Sequence, residues 1–311
     1  SAGAVVFDGS ETDVERLIGQ AQTALKRARS ERPGVGRVFV AGIDKRVGDV
    51  MAVEAAIRAA ISRGRFIPYF QPKVDLTSGR ITSVEALARW EVPGRGVIEP
   101  AKFIPAAENL GLIKEIGEAI LRQACVAAAE WRAGGLRCRV AVNVAPAQFD
   151  EPDFGAKVLK IVRETGIAPD MLELEITESA AMKNPAAALR QIAPLRKAGI
   201  RLSLDDFGTG HSSLAALTQM PFDVFKIDRQ FVSAIGEDEQ AEAVVDTILG
   251  LARTLDFETV AEGVENVRQE AFLRKRGCTL GQGYLYGKPM PLADFLNLAQ
   301  SGGRRSLRAV S

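Results

Sequence analysis

The sequence predicts an α/β protein, a (β/α)8 TIM-like barrel with one antiparallel strand near the start. Eight short runs rich in β-branched and aromatic residues alternate with stretches of helical period over roughly 250 residues, which favours a barrel over an open doubly wound sheet. The first two runs are joined only by Asp75–Arg80, which is too short for a crossover helix. These two strands should therefore pair as an antiparallel hairpin, and the later connections are long enough for helices.

The predicted strands and helices follow one another in a regular order. A helix from about Val47 leads into the first strand. The eight strands are expected at Phe66–Val74, Ile81–Arg89, Arg139–Val144, Leu172–Thr177, Arg201–Asp205, Val224–Ile227, Thr259–Glu262 and Gly281–Leu285. The later helices are expected at Pro105–Glu108, Leu112–Ala133, Asp153–Thr165, Pro185–Ala198, Ser212–Thr218, Glu239–Leu255, Val267–Arg276 and Leu292–Gln300.

Residues 1–45 are predicted to form a short segment of their own. A strand at Ala4–Phe7, an alanine-rich helix at Asp13–Ser30 and a strand at Arg37–Ala41 are too little for a domain. The pattern AQTALKRAR resembles the last segment of a GGDEF (diguanylate cyclase-like) domain, without its signature. This resemblance implies a longer tandem protein with an upstream sensor or GGDEF domain. The barrel domain is then expected over residues 46–303, followed by a tail at 304–311.

The composition restricts the function. Forty Lys and Arg residues against 39 Asp and Glu residues give a formal charge of +1, so no bulk positive field favours DNA or RNA as a partner. Cys125, Cys138 and Cys278 match no metal or disulfide spacing and are expected to be free thiols. No signal peptide or membrane span is visible, so a cytoplasmic location is expected, although the full-length protein could be membrane-anchored through missing N-terminal regions.

Acidic and amide side chains recur where the predicted strands end. They are Glu85, Asn143, Glu175, Glu178, Asp205, Asp206, Glu262 and Glu265. In barrel enzymes the reactive groups stand at these ends of the strands. Any single acid could instead cap a helix or form a surface ion pair, but a whole set at one mouth would repel itself without cations. Lys226, between the apolar Phe225 and Ile227, would be a buried charge in the same region.

These ligands favour hard metal ions. Oxygen ligands without Cys or paired His select Mg²⁺ or Mn²⁺, and the single His211 excludes His-rich zinc sites. Adjacent Asp205 and Asp206 could serve two ions that activate a water between them. Lys226 could then hold this water or a phosphoryl oxygen by a charge-assisted hydrogen bond. The sequence therefore predicts phosphodiester hydrolysis.

A set of motifs identifies a family that the chain resembles. The set contains FQPKVDL, EAL with RW, FIPAAENLGLI, NVAPAQF, LELEITES, LDDFGTGHSSL, FKID, AEGVE and QGYLYGKPM. In this order they resemble the EAL-domain cyclic di-GMP phosphodiesterases over nearly all of residues 50–300. The resemblance implies hydrolysis of cyclic di-GMP to linear pGpG in bacterial signalling, with two Mg²⁺ or Mn²⁺ ions per site and Ca²⁺ inhibitory. It also implies a homodimer.

The resemblance assigns roles to individual residues. One ion would be bound by Glu85, Asn143, Glu175 and Asp205, and the second by Asp205, Asp206 and Glu262. Lys226, Glu262 and Glu85 would carry the catalysis, with Lys226 on the attacking water. The substrate contacts implied are Gln71, Leu87, Arg89, Asn143, Asp228, Glu265 and Gln282. A loop that couples metal binding to the dimer contact would contain Glu178, Asp206, Phe207, Gly208, Thr209, Gly210 and His211.

Some alternatives stay open at this point. His211 is interpreted as a loop-packing residue, although it could be a general base. Arg89 could be an ion-pair partner at the barrel rim, with no contact to phosphate. For the whole protein, the main alternative is a catalytically silent cyclic di-GMP receptor that signals to a protein partner, because a fold does not fix a function. A scaffold that binds no nucleotide is the third possibility.

Overall fold

The chain divides into two compact units, residues 1–59 and 60–311. The computed structural model describes residues 1–5, 14–31, 36–38, 41–207 and 220–301. In the first unit, β1 (Ala2–Ala4) pairs in parallel with β2 (Gly36–Val38), and α1 (Val14–Glu31) buries Ala24 and Ala28. The predicted helix of this segment is confirmed, whereas the first strand starts two residues earlier than expected. A further helix, α2 (Ala41–Ser62), starts six residues before the predicted position.

Eight strands of the second unit form a closed barrel, as predicted. They are β3 (Phe66–Asp75), β4 (Ile81–Val92), β6 (Arg139–Val144), β7 (Leu172–Thr177), β8 (Arg201–Phe207), β9 (Val224–Ile227), β10 (Glu258–Ala261) and β11 (Leu280–Gln282). The hydrogen-bonded order is β3-β11-β10-β9-β8-β7-β6-β4, and pairing of β3 with β4 closes the ring. The short strand β5 (Gly96–Ile98) extends β4 outside this ring. Only β3 runs antiparallel to both neighbours within the ring, which confirms the predicted hairpin.

Helices connect the strands and cover the barrel. In the described residues they are α3 (Pro100–Asn109), α4 (Ile113–Ala133), α5 (Pro146–Phe149), α6 (Phe154–Thr165), α7 (Glu178–Lys183), α8 (Pro185–Lys197), α9 (Arg229–Ser233), α10 (Glu239–Thr254), α11 (Val267–Lys275) and α12 (Leu292–Gln300). The sequence missed α5, α7 and α9, because four to six residues are too few to show a helical period. The helix predicted at Ser212–Thr218 lies outside the described residues. None of the described helices has the length and apolar character needed to cross a membrane.

The layer between strands and helices, here called the shell, is apolar. Alternate residues of a strand point to opposite faces, and one face of each strand meets the helices. Ile227 of β9, for example, is fully buried in a cluster with Ile248 and Leu249 of α10 and Leu273 of α11. The stacked rings of Phe225 and Phe257, with centroids 4.3 Å apart, add to the packing around β9. Around β9 the shell is thus a hydrophobic core.

The last strand of the barrel is shorter than expected. The sequence predicted it at Gly281–Leu285, but β11 ends at Gln282 because the chain turns at Gly283, whose carbonyl accepts hydrogen bonds from the amides of Tyr286 and Gly287. A Cβ on Gly283 would lie 2.1 Å from the carbonyl oxygen of Val264. The glycine therefore permits a close backbone approach directly after Gln282.

Candidate active site

Strand register brings most of the predicted acids to one end of the barrel. Glu85 of β4 lies opposite Gln71 of β3, and Asn143 of β6 lies beside Glu175 of β7. The next strand aligns Asp205 with Thr177 of β7. Glu262 follows β10 directly, and its amide donates to the carbonyl of Ile227 at 3.1 Å. Residues far apart in the sequence therefore meet at the carboxyl ends of the parallel strands, as the barrel architecture requires.

Lys226 lies at the centre of this group. Its Nζ is 2.6 Å from Oε1 of Glu262, 2.7 Å from Oε2 of Glu175 and 3.1 Å from Oδ2 of Asp205. Oε1 of Glu85 is 4.0 Å away. The lysine is 1% exposed. An ammonium group buried this deeply is stable only because several carboxylates surround it.

Amide side chains hold Glu85 in place. Asn143 donates a short hydrogen bond to Oε1 of Glu85, and Gln282 donates one to Oε2. Gln282 also donates to Oε1 of Gln71 at 3.1 Å, while Gln71 donates to the carbonyl of Gly287 at 3.1 Å. Both oxygens of Glu85 are thus oriented by neighbours before any ligand arrives.

A second lysine lies deeper in the lumen. Lys73 of β3 places its Nζ 2.6 Å from Oε1 of Glu175 and 3.2 Å from Oε1 of Glu173. Strands β3 and β7 are not neighbours in the ring, so these side chains meet across the lumen. Glu175 therefore lies between two ammonium groups, one on each carboxylate oxygen.

Negative charge is in excess in this cluster. Five carboxylates, those of Glu85, Glu173, Glu175, Asp205 and Glu262, surround the ammonium groups of Lys73 and Lys226, and the guanidinium of Arg201 lies 3.9 Å from Glu173 at the edge of the group. We refer to the five carboxylates and the two lysines as the lumen charge cluster.

The uneven distribution of charge moves the pKa values in opposite directions. Burial raises the pKa of Glu262 to about 8, because Lys226 only partly offsets it and Asp205 and Glu85 add to the repulsion. Burial and the nearby Glu175 also raise the pKa of Glu85. For Glu175 burial is outweighed by Lys226 and Lys73, which hold its pKa at about 2. The carboxyl groups near the opening, Glu85 and Glu262, therefore have raised pKa values, whereas the pKa of Glu175 between the two lysines is lowered.

The chemistry of the cluster fits divalent cations. Carboxylate and amide oxygens with an excess of negative charge are the ligands that Mg²⁺ and Mn²⁺ prefer. Among the residues that the structure describes, no three His, Cys, Asp or Glu side chains are already spaced to hold one ion. The ammonium of Lys226 lies between them instead and links three of the carboxylates. Binding of a cation would therefore require these carboxylates to exchange their contacts with Lys226.

An open cleft of about 500 Å³ lies above the cluster. Among its lining residues are Glu85, Asn143, Asp205, Lys226 and Glu262, and also the predicted substrate contacts Gln71, Leu87, Arg89, Glu265 and Gln282.

Arg89 is a free cationic group on the wall of the cleft. Its guanidinium lies 5.4 Å from the ring centre of Tyr69 and donates to the carbonyl of Ala88 at 2.9 Å. Among the described residues it forms no ion pair within 4 Å. The structure therefore does not support the alternative role of Arg89 as an ion-pair partner at the barrel rim. Arg89 is thus available to an anionic ligand.

Two of the predicted site residues, Asp228 and Glu178, do not line the cleft, and others lie outside the described residues. The carboxylate of Asp228 accepts a hydrogen bond from the amide of Gln230 at 2.7 Å and caps α9. Glu178 is 3% exposed at the start of α7, away from the lining. Asp206 and Phe207 belong to β8 by their backbone, but their side chains are outside the described residues, as are Gly208, Thr209, Gly210 and His211 entirely.

Three residues around the site were not predicted. Lys73 lies in the run FQPKVDL, and a lysine within an apolar strand is the same signal that pointed to Lys226. Arg229 and Tyr284 line the cleft, with Arg229 Nη2 3.6 Å from Oε1 of Glu265. Both follow strand ends by two residues, which is a position where barrel enzymes place ligand contacts.

Comparisons with known proteins agree with this architecture. The EAL domain family model matches residues 54–289. An uncharacterized signaling protein of Caulobacter vibrioides is 39% identical over 303 residues, which cover 97% of this chain and 37% of the relative. The bifunctional diguanylate cyclase/cyclic di-GMP phosphodiesterase MucR of Pseudomonas aeruginosa is 36% identical over 297 residues, or 95% of this chain and 43% of MucR. The chain thus spans about two fifths of the length of these curated relatives.

A solved structure supports the same assignment. The PaMucR phosphodiesterase in complex with c-di-GMP superimposes with a TM-score of 0.76 and 40% sequence identity, and the match covers 78% of this chain and 99% of that one. The family match, the closed barrel and the cluster of acids at its mouth lead to one assignment. The chain belongs to the EAL domain family.

Proposed function

We propose that this chain is a phosphodiesterase that hydrolyses cyclic di-GMP to linear pGpG with two divalent cations, Mg²⁺ or Mn²⁺. The observation that carries the proposal is the convergence of four carboxylates on Lys226, three from strands and one from the residue after β10, at the floor of an open cleft. The names of MucR and of the c-di-GMP complex of PaMucR support the choice of substrate.

The proposed ligands of the two cations are the residues implied by the family. Glu85, Asn143, Glu175 and Asp205 would hold the first, and Asp205, Asp206 and Glu262 the second. When bound, such a pair of cations activates a water and neutralises the phosphodiester during in-line attack. The hydrogen bonds from Asn143 and Gln282 hold Glu85 in one orientation, which reduces the reorganisation that binding requires.

Lys226 is proposed to act as a hydrogen-bond donor and not as a base. Burial would lower the pKa of Lys226, but the surrounding carboxylates, Glu175 first, raise it well above its ordinary value. The group therefore stays an ammonium. Its three N–H donors can be directed to the attacking water or to a phosphoryl oxygen, where a charge-assisted hydrogen bond stabilises developing negative charge.

The walls of the cleft would bind the dinucleotide. Arg89 is the cation proposed to meet a phosphate, and Gln71, Leu87, Glu265 and Gln282 are proposed to contact the rest of the substrate. The cleft volume of about 500 Å³ lies within the usual range of ligand pockets. Asp228, which caps α9, would contribute indirectly by fixing the start of that helix after β9.

The proposal includes an organisation for the longer protein. Residues 46–303 would be the phosphodiesterase domain, and residues 1–45 the end of a GGDEF-like domain preceded by a sensor. The chain spans about two fifths of its relatives, which leaves room for such parts. A homodimer would be coupled to the site through Glu178 and the loop from Asp206 to His211.

A turnover assay tests the proposal. The chain is incubated with cyclic di-GMP and Mg²⁺ or Mn²⁺, with EDTA and Ca²⁺ as controls, and the products are separated by ion-pair chromatography. Metal-dependent formation of pGpG is expected. Tight binding of cyclic di-GMP without turnover would instead identify a receptor, and the absence of binding would leave a scaffold.

Two variants on the same strand localise the activity. Glu85→Gln removes a carboxylate of the cluster, whereas Glu91→Gln changes a half-exposed carboxylate at the far end of β4 that pairs with Arg65 at 2.9 Å. We expect Glu85→Gln to abolish turnover and Glu91→Gln to retain it. Equal activity of the two variants would contradict the proposed site.

A further inference from the structure

Lys73 is a buried cation that the proposed hydrolysis does not use. It has no exposed surface, and it does not line the cleft. Its Nζ contacts Oε1 of Glu175 at 2.6 Å and Oε1 of Glu173 at 3.2 Å, and Glu173 is itself 2% exposed. Contacts on two sides fix the position of the ammonium deep in the lumen.

The two oxygens of Glu175 have different surroundings. Oε1 accepts from Lys73, which is closed off from the cleft, whereas Oε2 accepts from Lys226 at 2.7 Å, and Lys226 lines the cleft. A cation that enters from the cleft can replace Lys226 at Oε2. It cannot reach Oε1 unless the contact with Lys73 is broken.

The number of oxygens that a carboxylate offers affects which ion it prefers. Ca²⁺ accepts one or both oxygens of a carboxylate in a flexible shell of six to eight ligands, whereas Mg²⁺ requires a smaller and near-octahedral shell. A carboxylate restricted to one oxygen therefore disfavours Ca²⁺ more than it disfavours Mg²⁺ or Mn²⁺.

We propose that Lys73 is a metal-selectivity residue, which holds Oε1 of Glu175 so that only Oε2 can coordinate a cation and thereby favours Mg²⁺ or Mn²⁺ over Ca²⁺. This inference rests on the proposed divalent-cation site. Lys73 is a positioning residue in this role, since it acts on the cation only through Glu175.

The test compares cation affinities in a charge-neutral double variant and in a matched single variant. Lys73→Met alone would leave Glu173 buried beside a lost partner, so Lys73→Met is combined with Glu173→Gln, and Glu173→Gln alone is the matched control that keeps Lys73 on Glu175. Mn²⁺ binding to the full chain is measured from the electron paramagnetic resonance signal of the free ion, and Ca²⁺ binding by competition. The readout is the ratio of the two dissociation constants, because the difference of one charge between the double variant and its control affects both divalent ions alike.

We expect the preference for Mn²⁺ over Ca²⁺ to fall by about tenfold in Lys73→Met/Glu173→Gln, which is the lower end of the change in metal affinity that follows loss of the partner of a metal ligand. The control Glu173→Gln should keep the wild-type ratio. Lys73→Gln/Glu173→Gln keeps a shorter N–H donor at position 73 and should give an intermediate ratio of the two dissociation constants. It replaces Lys73→Met/Glu173→Gln as the test variant if that protein does not unfold cooperatively in a thermal melt.

The outcomes separate this inference from the proposed function. Wild-type binding of Mn²⁺ with an unchanged ratio in a folded double variant would overturn the role of Lys73 and leave the phosphodiesterase intact. Failure of the wild-type chain to bind either ion would overturn the cation site itself.

Discussion

The lumen of the barrel and the shell between its strands and helices contain opposite kinds of side chain. On β9, Lys226 faces the lumen and contacts three carboxylates, whereas its neighbour Ile227 faces the shell and packs among aliphatic side chains. Beside these charges, Val224, Val260 and Leu280 form a separate apolar cluster. One residue of displacement along a strand thus separates the two environments.

The comparison shows where stability and chemistry are located. Barrel interiors are usually filled with branched apolar residues, so buried charges in the lumen are a departure that reduces stability unless they are paired. The shell supplies the hydrophobic burial that stabilises the fold. Changes in the lumen should therefore affect activity, and changes in the shell should affect unfolding.

The largest effect is expected for Lys226→Ala in the lumen. Turnover of cyclic di-GMP should fall by about 100-fold or more, because a charge-assisted donor to the reacting atoms is lost. Substrate affinity, measured in Ca²⁺ by calorimetry, should be largely kept. Lys114→Ala is the control, since Lys114 pairs with Glu151 on the surface at 3.0 Å. A large loss of affinity with a normal saturated rate would assign Lys226 to binding.

In the shell, Leu273→Ala should lower the free energy of unfolding by about 3 kcal/mol and leave kcat and KM unchanged. Leu273 is fully buried in the shell cluster, and the substitution leaves a cavity there. Val267→Ala on the same helix is the control, because Val267 is 66% exposed and should contribute little. Urea unfolding and steady-state kinetics measure the two quantities. A fall in kcat with an unchanged free energy of unfolding in Leu273→Ala would contradict the separation of stability in the shell from activity in the lumen.

At the cleft wall, Arg89→Ala should weaken cyclic di-GMP binding by about tenfold, as expected for one charge-assisted hydrogen bond. The affinity for Mn²⁺ should stay nearly constant, because Arg89 contacts no carboxylate of the cluster in the described residues. Arg95→Ala, in the exposed turn after β4, controls for a general loss of positive charge. Unchanged substrate affinity in Arg89→Ala would reject the phosphate contact.

The smallest effect is a pH dependence of stability in the metal-free chain. Since the folded pKa of Glu262 is raised from 4.5 to about 8, the folded state binds its proton more tightly, and stability should fall as the pH rises through this window. Glu175 has the opposite sign, with a pKa of about 2, and its contribution is lost only as the pH falls below 4.5. Urea unfolding in EDTA measures the free energy of unfolding at each pH. This free energy should decline less steeply with rising pH in Glu262→Gln than in the wild type. If the free energy of unfolding depends on pH in the same way in both proteins between pH 4.5 and about 8, Glu262 is ionised over this range and its pKa is not raised.

The sequence by itself determined the barrel. Periods of two and 3.6 residues depend on local backbone geometry, so the strands at Arg139–Val144, Leu172–Thr177 and Val224–Ile227 were predicted with the bounds that the structure gives. The short link Asp75–Arg80 predicted the hairpin for an equally local reason. Acids at strand ends indicated a site, because parallel strands place these ends together.

Only the tertiary structure decided which of these side chains are partners. Lys73 and Glu175 are 102 residues apart in the chain, and Gln282 and Glu85 are 197 apart. Such contacts cross the lumen, and their geometry depends on the closure and register of all eight strands. The same closure decides that Glu262 contacts Lys226, 36 residues earlier in the chain. Local periodicity does not contain this information, because it fixes the face of a strand and not the side chain that it meets.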